Sequence, residues 1–497
     1  MPRLVLAGGI SLQEVLDPAD GFGVTAGANL AIFHLLSISF QEVVFYKMGL
    51  YDYFHISRAS SEKVPDDMAD SVYKKLRLKT FIGVTAGYSL YYVCRMSMSV
   101  VKQPLIDEGV LTAGALGLIG SALLMVYAFG KFINGFIADY CNIRRFMGIG
   151  LLFSAVVNLV IAATGIAGNF TVISQPLMLG VTFVMWGANG WFQSMGAPPG
   201  VISLSRWFPK SKRGTFYSIF CISPYVGEFI SFVLTAAVVA KWGWEWGFLV
   251  ASIIGFAGSF IVFLTVSDTP ESKGLPPVQT LAGEKMRKED SMRTAVLQKQ
   301  VLRHPGIWII ALSSAFIYIT KYAITGWGVL FLQKVKMFSL EQASSIIAVA
   351  ALVGGLSGTM SAGWVSDTLF KGDRLKPALI SGLLSTASLS LFLFSGGGMV
   401  LNIIYVALFN FSVGVLYCIV AGLMAIDIVP RKATGAALGV VGISSYIAAA
   451  VQDVASGYLI EGSTNFASAS VFWLCASVLA TLLPVLNWNK MKNRSEE

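Results

Sequence analysis

Three basic residues interrupt long apolar runs: Arg95, Lys131 and Lys321. A lysine or arginine at the centre of a bilayer costs about 2.5–3.5 kcal/mol on the insertion scale, and three together roughly 7–10 kcal/mol. A cost of that size calls for something anionic. Tyr88, Tyr92 and Arg95 fall at i, i+4 and i+7, which is one face of a helix, and Tyr127 and Lys131 stand at i and i+4. A planar guanidinium beside phenolic hydroxyls suits the several acceptor oxygens of a phosphate. The competing arrangement is internal salt bridging. Its candidate acids are Glu228 and Asp453, with Asp427 expected at a helix end near the surface. Pairing of Glu228 and Asp453 with the lysines is the simplest expectation, and a coupling role is the alternative. Two acids against three cations leave about one positive charge over.

The elements that must position these groups are membrane-spanning helices. The 497 residues are 55% hydrophobic and only 13% charged, against about 25% charged in soluble domains, and the mean hydropathy is +0.70. Glycine, at 50 residues, suits close helix packing in lipid. Twelve spans are predicted, near 79–102, 114–138, 146–166, 176–204, 214–240, 245–267, 306–333, 341–366, 377–395, 399–427, 433–458 and 466–487. Each can cross roughly 30 Å of hydrocarbon at about 1.5 Å per residue. The net charge of +9 then reports topology. Of the 36 Lys and Arg, 25 fall on one side of the membrane, including Arg144, Arg206, Arg374 and the loop between spans 6 and 7. Lys102, Lys241, Lys334 and Lys336 fall on the other. This asymmetry predicts cytoplasmic termini and an orientation suited to a bacterial inner membrane. No nucleic-acid motif accompanies the basic charge.

Residues 1–72 read as an N-terminal extension, interfacial or partly disordered. An additional helix over Gly21–Phe40 and a natural start at Met48 are the other readings, and no signal peptide with a cleavage site is evident. The six-helix halves are expected at 73–267 and 306–489, joined by a polar linker at 268–305 and followed by a tail at 490–497. The halves repeat. Gly135-Phe-Ile-Ala-Asp139 with Arg144 matches Gly363-Trp-Val-Ser-Asp367 with Arg374 at an offset of 228, and Arg95 matches Lys321 at 226. In each copy the acid can accept hydrogen bonds from a neighbouring helix N-terminus and latch one conformational state. Gly354/Gly358 and Gly435/Gly439 read as helix-packing pairs.

Several chemistries are disfavoured. The five cysteines are scattered without CxxC spacing, so neither a disulfide framework nor a metal site is suggested. His34, His55 and His304 lie outside the spans, against a buried histidine relay. No nucleophile–base constellation or glycine-rich phosphate loop points to an enzyme, and no cofactor is implied.

The paired Gly-x-x-x-Asp turns resemble the signature loops of the major facilitator superfamily. Within it, several runs resemble the organophosphate:phosphate antiporter family: Tyr88-Ser-Leu-Tyr-Tyr-Val-Cys-Arg95, Tyr127-Ala-Phe-Gly-Lys-Phe-Ile, Gly190-Trp-Phe-Gln-Ser-Met-Gly-Ala-Pro-Pro, Arg206-Trp-Phe with Lys212-Arg-Gly, and Asp268-Thr-Pro-Glu-Ser-Lys-Gly-Leu-Pro-Pro. The resemblance covers about 75–487. It implies an all-α fold of twelve helices in two pseudo-symmetric halves. It also implies exchange of a sugar phosphate or glycerol-3-phosphate for inorganic phosphate by a monomer, with Arg95 and Lys321 gripping the phosphoryl group. Lys131, Tyr88, Tyr92 and Tyr127 carry over with them. Lys321 departs from the family's usual arginine, Met96 from a second basic residue, and Arg206 from the histidine of glycerol-3-phosphate transporters. Some members of the family act as receptors for external sugar phosphate, which is the alternative function.

Overall fold

The computed structural model describes residues 53–168, 174–209, 216–217, 219–281, 301–371, 373–429, 434–461 and 466–495. The chain divides into two units, residues 1–55 and 56–497, and the second carries everything below. The readings at Gly21–Phe40 and Met48 lie outside the described residues, and of Gly435 only its place in the helix over 434–461 is described.

The first half contains α1 (Asp66–Asp107), α2 (Ala113–Asp139), α3 (Ile143–Gly168), α4 (Gln175–Ser194, continued as Ala197–Trp207), α5 (Ser223–Trp242) and α6 (Trp244–Thr265). The second contains α7 (Pro305–Lys334), α8 (Leu340–Trp364), α9 (Leu375–Phe394), α10 (Met399–Met424), α11 (Thr434–Glu461) and α12 (Ala467–Ser495). Ten of these are long and apolar enough to cross a membrane. The other two, α1 and α4, are less apolar for visible reasons. Helix α1 carries Arg95 and Lys102, and α4 buries Asn189, Gln193 and Ser194 before breaking ahead of Pro198 and Pro199.

Local sequence sets the helix ends. The Thr112 side chain caps α2 by accepting from Ala115 N, and Ser339 and Gln342 form a reciprocal capping box at α8. Gly243, at φ 102°, makes the turn between α5 and α6.

Packing follows a repeated plan. Helix α1 packs on α5 and α6, α2 on α4, and α3 on α6; in the second half α7 packs on α11 and α12, α8 on α10, and α9 on α12. Each pair in one half has its counterpart six helices on, so the duplication extends to three dimensions. Glycine permits the closest approaches. A β-carbon at Gly354 or Gly358 on α8 would overlap the α10 backbone at Ala407 and Phe411. Gly439 is different: nothing lies within 4 Å of where its β-carbon would be, so the expected packing contact is not made here. Open space faces it.

The halves meet chiefly where α2 crosses α11 and α5 crosses α8. The α2–α11 contact is asymmetric. Toward the side away from the 268–305 linker, Gly117 would place a β-carbon 2.5 Å from the Asp453 carbonyl, and Gly457 one 2.6 Å from that of Ala113. Toward the linker side, Gly135, Gly439 and Gly442 all face open space. At the α2–α11 contact the halves are sealed on the far side and parted on the linker side.

Helix α1 starts at Asp66, well before the expected 79, and residues 56–64 are docked on the first half. Ser57 N donates to Asp268 Oδ2 at 2.7 Å, Ile56 N to the Tyr140 carbonyl at 3.2 Å, and Val64 N to the Gly274 carbonyl at 3.0 Å. The start of the linker also packs, with Leu275 and Val278 buried beside Trp207 and Tyr73.

Candidate functional site

Arg95 is 5% exposed on α1, facing the second half. Its Nη2 donates to the Tyr322 hydroxyl on α7 at 2.9 Å. Its guanidinium carbon lies 4.4 Å from the Tyr127 ring centroid, 5.7 Å from Tyr92, 5.9 Å from Tyr322 and 6.0 Å from Tyr446. A desolvated cation on an aromatic face gains about 2 kcal/mol, which offsets part of the insertion cost. Lys131 Nζ, on α2, is 5.2 Å from the Tyr446 ring, and Lys321 Nζ, on α7, is 5.6 Å from that of Tyr417. Tyr88 packs edge-on against Tyr92 at 5.6 Å and stacks on Phe220, one turn toward the linker side. The expected residues Arg95, Lys131, Lys321, Tyr88, Tyr92 and Tyr127 therefore converge on one buried region between the halves.

The acids behave differently from one another. Among the described residues, no carboxylate lies within salt-bridge distance of Arg95, Lys131 or Lys321. Glu228 is buried on α5, and the charges that act on it are those of Lys321 and Arg95. Asp453 pairs with neither expected lysine. It meets Lys102 Nζ at 3.6 Å and accepts from Trp327 Nε1 at 2.5 Å. Lys102, read from sequence as a far-side loop charge, is 2% exposed inside α1. It is a fourth intramembrane cation, brought to the Arg95 side of α1 by the seven-residue spacing. Lys102 and Asp453 cancel, so Arg95, Lys131 and Lys321 stand against Glu228 with two positive charges in excess. A cavity of about 50 Å³ between the halves is lined by Arg95, Lys102, Tyr322, Thr325 and Asp453.

Sequence reasoning missed Tyr318, Tyr322, Tyr417 and Tyr446. Tyr127 and Tyr446 approach to 4.8 Å, and Tyr318 and Tyr446 to 5.2 Å. Tyr318 and Tyr322 flank Lys321 at i, i+4 spacing, the same signal that singled out Tyr88 and Tyr92. Tyr446 has no charged neighbour in sequence and carried no such mark.

The expected gating residues lie on the linker side. The side chains of Asp139 and Asp367 are outside the described residues, and Arg144 is exposed. Arg374 binds Asp427 through Nε at 3.1 Å and donates from Nη1 to Ser366 Oγ at 2.7 Å. In the first half the acid at a helix N-terminus is Asp268, whose Oδ1 accepts from Ile143 N at 3.0 Å and from Arg206 Nη1 at 2.5 Å. Arg206 also donates to the Cys141 carbonyl at 3.0 Å. It is a linker-side structural charge and stands apart from the tyrosine cluster. Burial pushes the neighbouring Cys141 thiol up to about 12, so it stays protonated. Among the described residues no group of His, Cys, Asp or Glu is arranged to hold a metal.

Comparison with known proteins bears on the family and the fold. The Major Facilitator Superfamily profile matches residues 84–452. A glycerol-3-phosphate transporter of Bacillus subtilis is 30% identical over 442 residues, covering 87% of this chain and 96% of the relative. A protein of Salmonella typhimurium named membrane sensor protein UhpC is 29% identical, covering 84% of this chain and 93% of the relative. Among solved structures, a bacterial homolog of the human lysosomal transporter Spinster, inward-facing and unoccupied, superposes with a TM-score of 0.66 at 16% identity over 84% of this chain and 98% of its own, a likeness of fold alone. This chain is a multi-pass integral membrane protein of the Major Facilitator Superfamily, and within it belongs to the organophosphate:phosphate antiporter family.

Proposed function

We propose that this protein is a secondary active transporter that exchanges a small organic phosphate, glycerol-3-phosphate or a sugar phosphate, for inorganic phosphate by alternating access. It acts as a monomer in a bacterial inner membrane, with the linker side cytoplasmic. The observation that carries this reading is the group of buried Arg95 with half-buried Lys131 and Lys321, which no described carboxylate engages at salt-bridge distance. A dianionic phosphoryl group would balance the two charges left in excess.

Arg95 would offer its fork to two phosphate oxygens. Lys131 and Lys321 would flank the group as point charges, with Tyr92, Tyr127 and Tyr88 supplying hydroxyls or shaping the pocket. Lys321 in place of an arginine gives up bidentate geometry, so the grip from α7 is weaker in direction than in charge. Arg95 and Lys131 belong to one half and Lys321 to the other, so a shared anion favours states in which the halves close on it. Glu228 would moderate the positive field and release it as ligand enters. The linker-side contacts around Arg374 and Asp427, with Asp139, Arg144 and Asp367, would hold one state of the cycle. No covalent step is involved.

The test is counterflow in proteoliposomes preloaded with phosphate and offered glycerol-3-phosphate, glucose-6-phosphate or phosphoglycerate. Saturable exchange that disappears in Arg95→Ala is expected; full exchange by that variant would remove Arg95 from the site. A second reading, a membrane sensor for such a ligand, is favoured by the likeness to the Salmonella sensor. Tight ligand binding without measurable flux would select it.

A further inference from the structure

Lys102 and Asp453 take no part in the phosphate reading, yet they form a buried ion pair that joins the two halves. Lys102 sits two turns beyond Arg95 on α1, and Asp453 lies on α11, with 3.6 Å between Nζ and Oδ1. Trp327 on α7 is fully buried and holds both partners. Its indole nitrogen donates to Asp453 at 2.5 Å, and Lys102 Nζ lies 3.3 Å from its ring centroid. Helix α2 presses in from the other flank. Gly117 faces the Asp453 backbone, and a β-carbon at Gly120 would overlap its carboxylate.

Other polar contacts cross between the halves on this far side, and they are at the surface. Thr112 Oγ1 and Gly114 N donate to Glu461 Oε2 at 3.1 and 2.6 Å, and Lys334 meets Asp107 at 2.8 Å with both side chains about half exposed. Exposed pairs contribute little to an equilibrium between states. A buried pair acts differently, because removing one partner strands the other charge without water. Separation of Lys102 from Asp453 is tolerable only if water reaches both, which requires the far side to open.

We infer that Lys102 and Asp453, clasped by Trp327, form the far-side gate: joined, they hold the linker-open state, and they part when the far side opens. This rests on the alternating-access reading. The pair shares a wall of the 50 Å³ cavity with Arg95 and Tyr322, which places the gate directly against the site.

The test uses full-length protein with its five native cysteines replaced and Ser99→Cys introduced as reporter on the cavity wall. A membrane-impermeant methanethiosulfonate is applied from the far side without substrate, so the readout does not depend on flux. Asp453→Asn and Lys102→Met should each label at least about 10-fold faster than the parent, since each strands one charge. The double variant K102M/D453N, and the charge-reversed K102D/D453K, should return to within about twofold of the parent rate. Single variants labelling at the parent rate, or a double as fast as the singles, would overturn the gate. If the singles do not elute as folded protein, the charge-reversed variant decides by itself: slow labelling supports the gate and fast labelling refutes it. Absence of exchange in the parent would sink the transport reading and leave the labelling result standing.

Discussion

Arg95 on α1 donates to the Tyr322 hydroxyl on α7, so a single hydrogen bond links the guanidinium proposed to hold phosphate to the opposite half of the molecule. A hydrogen bond to a charged group contributes about 1.5–3 kcal/mol. Tyr322→Phe removes that acceptor and keeps the ring that packs against Tyr318 and Tyr446. Exchange should fall about 10-fold or more, in line with that bond strength, while the melting temperature in detergent changes little. A phenylalanine variant with unaltered exchange would show that the hydroxyl does not orient Arg95.

Asp268 accepts from Ser57, Ile143 and Arg206 at once, tying residues 56–57, the start of α3 and the end of α4 into one linker-side knot. Both charged side chains are largely buried. Asp268→Ala removes the carboxylate that faces Arg206, and breaking a buried pair costs about 3–5 kcal/mol. Thermal unfolding should show a clear loss for Asp268→Ala and partial recovery in the double variant with Arg206→Met. Equal losses in both would place the stabilisation in the backbone bonds alone.

How much of this could be read from sequence depended on what each residue's neighbours reported. Arg95 and Lys131 stood out because a charge within an apolar run is costly and the tyrosines repeat at helical spacing. The duplication stood out because landmarks recur at 226 and 228 residues, and the matching helix contacts repeat it in space. Lys102 did not stand out. At the edge of a predicted span it looks like an ordinary loop charge, and only its partner on α11, 351 positions away, makes its burial tolerable. Glu228 and Asp453 are legible as acids within apolar runs, but their partners depend on how two halves abut, which periodicity along one helix does not encode. The docking of residues 56–64 likewise depends on partners far along the chain, Tyr140, Asp268 and Gly274, that no local pattern announces.

Lys336 lies just past α7, half-buried, with Nζ 4.9 Å from the Phe392 ring and donating to Asn402 Oδ1 at 2.5 Å. Burial lowers its pKa to about 8, below the usual lysine value of about 10.4. Between those values the folded protein has lost this proton while the unfolded chain keeps it. The contribution to stability therefore grows as pH rises through the window and is lost as pH falls through about 8. Reactivity reads this more directly than stability at a half-exposed site. Acylation of Lys336, followed by peptide mass spectrometry, should reach half its maximal rate near pH 8. A midpoint in the ordinary lysine range would mean the ammonium is fully hydrated.

Glycines in closed and in open surroundings should respond oppositely to the same substitution. At Gly227 on α5 an added β-carbon would overlap the Ser89 carbonyl on α1, and neither backbone can yield without moving a helix. Overpacking of this kind costs about 1–3 kcal/mol, so Gly227→Ala should lower the melting temperature. At Gly135 on α2 and Gly439 on α11 the space is open, and Gly135→Ala with Gly439→Ala should leave stability unchanged. Alternating access adds a second expectation, since opening the far side requires the linker ends of α2 and α11 to approach. Bulk placed there, as Gly439→Leu, should then slow exchange while the protein remains as stable as its parent. Undiminished exchange by Gly439→Leu would mean that the two helices never close on that side, and the rocking of one half against the other would have to be abandoned.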